Sequence, residues 1–169
     1  MIILAIDGGT TQSGYCRMTD DNDGDYTLLE FGKIDNEKLL EIVENAEYDE
    51  MVYEQFQSYN MPVGKSTILS VEWNGRFVQA AYSRKKPYSF VYRVEEKMHF
   101  CNSVKAKDTN IRKALIERYA KFDFKSGHGT KKNPDYFYGV SNDAWSGIAI
   151  CVLRFDRINR KDGSGNAIE

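Results

Sequence analysis

Ile2-Ile3-Leu4-Ala5-Ile6-Asp7-Gly8-Gly9-Thr10-Thr11 is the stretch on which the reading of this chain turns. Five consecutive apolar residues, Ile2 to Ile6, read as a strand buried on both faces. Asp7 stands at the end of that run, where a carboxylate is costly unless a cation meets it. Gly8 and Gly9 allow backbone to approach closely whatever sits there. Two chemistries want this arrangement, a divalent-metal site and a phosphate-binding turn, and the rest of the chain must decide between them.

With 169 residues, of which 41% are hydrophobic, the chain suits one globular domain with a real core. The opening apolar run is far short of the roughly 20 residues of a membrane span, and it lacks the features of a secretory signal. A soluble cytoplasmic protein is expected, with no membrane partner. Cys16, Cys101 and Cys151 are odd in number and widely spaced, so reduced, buried thiols are expected rather than a zinc site or disulfides. The net charge of −2 hides an asymmetry. Residues 1–60 carry 14 acidic against three basic side chains, and residues 61–169 carry 11 against 20. Either the two parts attract each other in the fold, or an acidic centre sits beside a basic surface for a polyanion.

Outward from the first strand, Gly14 to Thr19 reads as a second strand and Tyr26 to Ile34 as a third, joined by an acidic turn. Asp21, Asp23 and Asp25 alternate in that turn, but Gly24 is misplaced for a calcium loop and no Glu closes it. Residues 36–46 follow a helical pattern through Leu39, Leu40 and Val43. Met51-Val52-Tyr53 is a short strand that meets Glu54. Residues 65–84 suit a long helix weakened by Asn74-Gly75. Tyr88 to Val94 reads as a strand, and Asp108 caps a helix built on Ile111, Leu115 and Tyr119. Residues 123–139 read as a loop, and a last helix starts near Asn142 with Trp145, Ile148, Ala149, Val152 and Leu153 as its stripe. This order, β-β-β-α-β-α-β-α-α, predicts an α/β domain over 1–156. Its mixed five-stranded sheet would be an antiparallel meander followed by parallel strands, with helices on both faces. Residues 157–169 read as a polar, flexible tail.

Three carboxylates sit where a carboxylate is locally unexpected: Asp7 ends a buried strand, Glu54 ends an apolar run and Asp143 opens an apolar helix. Singly, each has a plain explanation; Asp143, for one, is welcome at a helix N-terminus. Together they predict a cluster, because the first strand and the 51–55 strand should be neighbours. Such a cluster suits hard Mg²⁺ and would repel itself without a cation.

Here the chain resembles the RuvC-type Holliday junction resolvases of the ribonuclease H-like superfamily, especially phage and prophage members. The matching pieces are Ile3-Leu4-Ala5-Ile6-Asp7-Gly8-Gly9 with Gly14-Tyr15, then Tyr53-Glu54-Gln55-Phe56, then Asn142-Asp143-Ala144-Trp145 leading to Ile148-Ala149-Ile150. The resemblance implies a homodimeric endonuclease that nicks four-way or related branched DNA. Mg²⁺, or Mn²⁺ in its place, would be held by Asp7, Glu54 and Asp143, with no small-molecule cofactor. It departs from the family at Val140, where a further acid is usual; Asp135 or His128 are the candidates to replace it. The resemblance also suggests that the helix after Glu54 packs on its twin, with Trp73 and Phe77 as interface candidates.

For DNA contact the candidates are Lys85 and Lys86, Lys105 and Lys107, and Lys131 and Lys132, with Tyr136 available to stack on unpaired bases. Lys105 or Lys107 is the first choice for the scissile phosphate. The alternative for each segment is a solvated charge run with core aromatics, and His99 reads as structural. Gly64-Lys65-Ser66-Thr67 is not a P-loop, since Tyr59 stands where a glycine is required. Three other functions share features with this chain. An actin- or sugar-kinase-like nucleotide-binding protein would use Asp7-Gly8-Gly9-Thr10-Thr11 as a phosphate hairpin, but needs a second such half. A YqgF-like RNA-processing nuclease shares the acids, and a non-catalytic junction-binding protein would tolerate Val140.

Overall fold

The structure, a computed structural model, describes the chain except residues 22–25, 59, 61, 142, 143 and 169. The acidic turn and Asp143 therefore lie largely or wholly outside the described residues. The strands are β1 (Ile2–Asp7), β2 (Gln12–Asp20), β3 (Tyr26–Asp35), β4 (Glu50–Gln55) and β5 (Tyr88–Tyr92). The helices are α1 (Asn36–Asn45), α2 (Lys65–Ser83), α3 (Arg93–Cys101), α4 (Asp108–Tyr119) and α5 (Trp145–Asn159).

One five-stranded sheet runs in the order β3-β2-β1-β4-β5. β1, β2 and β3 form the antiparallel meander, and β4 and β5 continue parallel to β1. The central position of β1 explains its unbroken apolar run. Ile3 and Ala5 face a cluster shared with α4 and α5, while Leu4 and Ile6 face one shared with α1 and α2. All four are fully buried, and each such aliphatic contributes about 1.5–3 kcal/mol where the side chain is large. The expected mixed sheet with helices on both faces is what the chain forms.

α5 lies flush on the sheet because Gly147 has no side chain; a Cβ there would stand 2.7 Å from the Tyr15 carbonyl carbon. Further along, the Cys151 thiol reaches the carbonyls of Ile3 and Cys16, and Arg154 pairs with Glu50 at the start of β4. α5 therefore runs opposite to β1, and its N-terminus lies at the end of the sheet where Asp7 stands. All three cysteines are free thiols, with Cys101 only partly buried. Among the described residues no helix is long and apolar enough to cross a membrane.

One expectation needs correcting: the strand expected over 88–94 stops at Tyr92, and α3 follows at once. The long helix expected over 65–84 forms as α2 and continues unbroken through Asn74 and Gly75. α5 runs on past residue 156 to Asn159, and beyond it Lys161 bridges to Ala167 and Gly163 packs against the backbone of His99.

Candidate metal and nucleic-acid site

The turn after β1 is held by a closed ring of buried polar groups. Gly9 N–H donates to Ser13 Oγ at 3.0 Å, Ser13 Oγ donates to Asn36 Oδ1 at 2.6 Å, and Asn36 Nδ2 donates to the Gly9 carbonyl at 3.0 Å. Gly8 makes room for α2: a Cβ there would lie 2.1 Å from Asn74 Oδ1. Asn74 in turn donates from Nδ2 to the Glu54 carbonyl at 3.0 Å. The helix-weakening Asn74 is thus the residue that ties α2 to the ends of both acid-bearing strands.

Parallel pairing of Ile6 with Tyr53 brings Asp7 and Glu54 out side by side at the same end of β1 and β4. Both line one cavity of about 210 Å³, with Ser66, Thr67 and Asn74 of α2 across from them. Glu54 also lines a larger cavity of about 620 Å³ with Phe56, Arg93, Lys97 and Val104.

α3 adds what the sequence reading missed. Arg93 Nη1 lies 3.7 Å from Glu54 Oε2 and 2.6 Å from Glu96 Oε2, and Arg93 Nη2 also bonds Asp108. Glu96 is fully buried, and its Oε1 has no hydrogen-bond partner. Burial pushes the Glu54 carboxyl up from 4.5 to about 7; Asp7 adds to the rise and Arg93 opposes it. Burial raises Glu96 well above the carboxylate range, against the pull of Arg93 and with the push of Glu54 and Asp7. These are the responses of acids crowded together out of water. Lys97, on the same helix, borders the larger cavity, and no ion pair involves it among the described residues. The only sequence sign of α3 was Glu95, which accepts the Tyr92 N–H at 2.5 Å as the third residue of a capping box.

Among the described residues no three His, Cys, Asp or Glu side chains converge tightly enough to hold a metal ion. The donor chemistry nevertheless fits a hard divalent cation: Asp7, Glu54 and Glu96 are oxygen donors, one Glu96 oxygen is buried without a partner, and a guanidinium supplies the positive charge between two of them.

The remaining candidates are dispersed. Both oxygens of Asp135 accept backbone N–H groups, from Lys121, Phe122, Asp123 and Tyr136. His128 stacks on Trp145 with ring centroids 6.5 Å apart, and its Nε2 is buried without a partner. Val140 is buried in the core with Phe137 and Trp145. Lys105 and Lys107 are exposed on the α3–α4 connection, next to Asp108 and Val104 of the site. Lys131 and Lys132 are exposed on the 123–139 loop. Lys85 and Lys86 precede β5, at the opposite end of the sheet from Glu54, five strand residues or roughly 17 Å away. The Lys86 ammonium donates to the Tyr48 carbonyl at 2.6 Å. Tyr136 is structural in its contacts, stacked on Tyr119 at 4.8 Å with its hydroxyl on the Tyr26 carbonyl. Phe77 is fully buried against β1, so it cannot serve as an interface residue. The exposed apolar residues of α2 are instead Ile68, Val71 and Tyr82. His99 is structural as expected: it meets Asp156 Oδ2 at 2.7 Å, and Arg118 grips both oxygens of the same buried carboxylate.

No family model matches the chain, and no curated protein matches it in sequence. Solved structures do match in fold. RuvC of Thermus thermophilus in complex with a Holliday junction substrate aligns over 94% of this chain and 94% of its own, at 14% identity and a TM-score of 0.67. The Fowlpox virus resolvase, solved with substrate Holliday junction DNA, aligns over 92% of this chain and 99% of its own, at 11% identity and 0.58. The yeast mitochondrial Holliday junction resolvase Ydc2 aligns over 92% and 83%, at 9% identity and 0.59. The chain therefore has the ribonuclease H-like fold in the arrangement seen in RuvC and other Holliday junction resolvases.

Proposed function

We propose that this protein is a divalent-metal-dependent endonuclease that nicks four-way or related branched DNA. The observation that carries this reading is the emergence of Asp7 and Glu54 side by side at the ends of neighbouring parallel strands, in a fold shared with solved resolvases. Asp7 and Glu54 would hold Mg²⁺ or Mn²⁺, with Asp143 as a third ligand; the placement of the α5 N-terminus at this end of the sheet supports its inclusion. Such an ion neutralises phosphate charge and acidifies water for in-line attack on a phosphodiester.

The chain's own groups supply positioning. The Gly9–Ser13–Asn36 ring fixes the Asp7 turn, and Asn74 fixes the Glu54 strand end. Lys97, which lines the cavity with Glu54, suits phosphate contact, as do exposed Lys105 and Lys107 beside Val104 and Asp108 and exposed Lys131 and Lys132 on the 123–139 loop. Exposed Phe56, two residues after Glu54, offers a face for an unpaired base. A homodimer through Ile68, Val71 and Tyr82 of α2 fits the helical spacing of these exposed residues.

The test incubates purified protein with a synthetic four-way junction, a linear duplex and a single strand, with and without Mg²⁺. Cleavage of the junction alone, dependent on metal and lost in Asp7→Asn, is expected. Cleavage of none of them, or equal cleavage by Asp7→Asn, refutes the catalytic reading. Stabilisation by ATP and not by Mn²⁺ would favour a nucleotide-binding protein.

A further inference from the structure

We propose that Glu96 of α3 is a metal-directed carboxylate of the Asp7–Glu54 centre, and that Arg93 holds it in place until the ion arrives. The inference rests on the reading of that centre as a metal site.

Glu96 has no exposed surface, and a buried carboxylate is ordinarily satisfied on both oxygens. Here Oε2 accepts Arg93 at 2.6 Å while Oε1 accepts nothing. Its neighbours are Glu54, Asp7 and Arg93; Asp7 repels it, Glu54 repels it and is near enough to share a proton with it, and these two are the carboxylates assigned to the metal. Arg93 is shared among Glu54, Glu96 and Asp108, and among the described residues no ion pair reaches Asp7, so negative charge at this strand end is left uncompensated. A structural role alone would call for a second donor to Glu96. The described neighbourhood gives it two further acids instead; as they stand the three do not converge on one point, and a divalent cation held by Asp7 and Glu54 is the chemistry that would draw Glu96 toward it. Arg93 is the counter-charge that keeps the acids together without it, and it can retain Asp108 when Glu54 and Glu96 turn to the ion. The contact can be direct or through a coordinated water, as groups that orient a metal centre from just behind its ligands typically shift affinity about 10–100-fold.

The experiment measures Mn²⁺ binding to DNA-free protein by calorimetry and by the metal-induced rise in melting temperature. Wild type, Asp7→Asn and Glu96→Gln are compared at pH 7.5, with metal-free melting as the folding control. Glu96→Gln should weaken Mn²⁺ binding at least tenfold and lose most of the metal-induced rise. Should Glu96→Gln fail to fold, Arg93→Gln is compared with Arg93→Gln/Glu96→Gln, a pair that leaves no lone buried guanidinium; the same tenfold difference is expected between them. Unchanged affinity on removal of Glu96, in either background, overturns the proposal while leaving the metal centre intact. Wild type that binds no Mn²⁺, or Asp7→Asn that binds it as wild type does, overturns the centre itself and this proposal with it.

Discussion

Glu54→Gln should make the metal-free protein more stable, by an amount that grows as pH rises from about 4.5 to about 7. Burial first, and the Asp7 charge second, carry the Glu54 carboxyl from its ordinary 4.5 to about 7, net of the opposing Arg93. The folded protein therefore keeps a proton that the unfolded chain has already released. As pH rises between these values the unfolded state binds fewer protons, so stability falls through the window from about 4.5 to about 7 and levels off above it. At about 1.4 kcal/mol per pH unit the full drop is about 3 kcal/mol, and a side chain 23% exposed is screened only in part. Glu96, raised in the same direction by burial, titrates together with it. Gln cannot ionise and escapes this cost. Urea denaturation in EDTA should show the two proteins nearly level at pH 5 and the variant ahead by about 3 kcal/mol at pH 8, or roughly 6–12 °C in melting temperature for a chain of this size. Mn²⁺ should reverse the order by stabilising wild type alone. No gain at pH 8, or an equal gain at pH 5, would show that Glu54 is not a strained, proton-holding acid.

Gly8→Ala forces its Cβ onto Asn74 Oδ1 and should cost about 1–2 kcal/mol in denaturation along with most junction cleavage; in an Asn74→Ala background the same change should cost almost nothing further. Asp156→Asn leaves the buried Arg118 guanidinium short of its partner and should lower stability by about 3–5 kcal/mol in urea melts, although it lies away from the acids. Ile68→Glu combined with Tyr82→Glu, both on exposed positions, should convert a dimer to monomer by light scattering without changing the melting profile of the protomer. Lys97→Ala should weaken junction binding and reduce its salt dependence by about one phosphate contact.

The fold was legible because its central strand carries its own signature. Ile2 to Ile6 reads as doubly buried, and β1 is flanked on both sides. Asp7 and Glu54 were legible for a related reason: each breaks an apolar run at the strand end where backbone pairing brings the two together. α3 was not. It spans nine residues, opens on Tyr92 without a Ser, Thr, Asp or Asn cap, and its Val94, Met98 and Phe100 alternate with polar residues much as a strand would. With the helix went Arg93, Glu96 and Lys97, since a charged run reads as solvated until packing shows otherwise. Lys86, Tyr136 and Phe77 have contacts that the sequence does not reveal, for a different reason. Basic and aromatic side chains look the same in sequence whether they meet DNA, a carbonyl or the core, and only the register of β5 and the packing of α2 separate those cases.

The pairing of β1 with β4 has a consequence in time as well as in space. Ile6 pairs with Tyr53 across the whole of the meander and α1, and β5 with α3 lies beyond β4 again. These non-local contacts form slowly compared with a hairpin or a helix. A chain still emerging from the ribosome can hold a complete β1–β3 meander and yet present Asp7 alone. Any chemistry that needs Asp7 and Glu54 together begins only once the parallel half of the sheet has closed. A protein able to cut DNA would thus be inert as a nascent chain, and inert again in any fragment lacking residues 50–55.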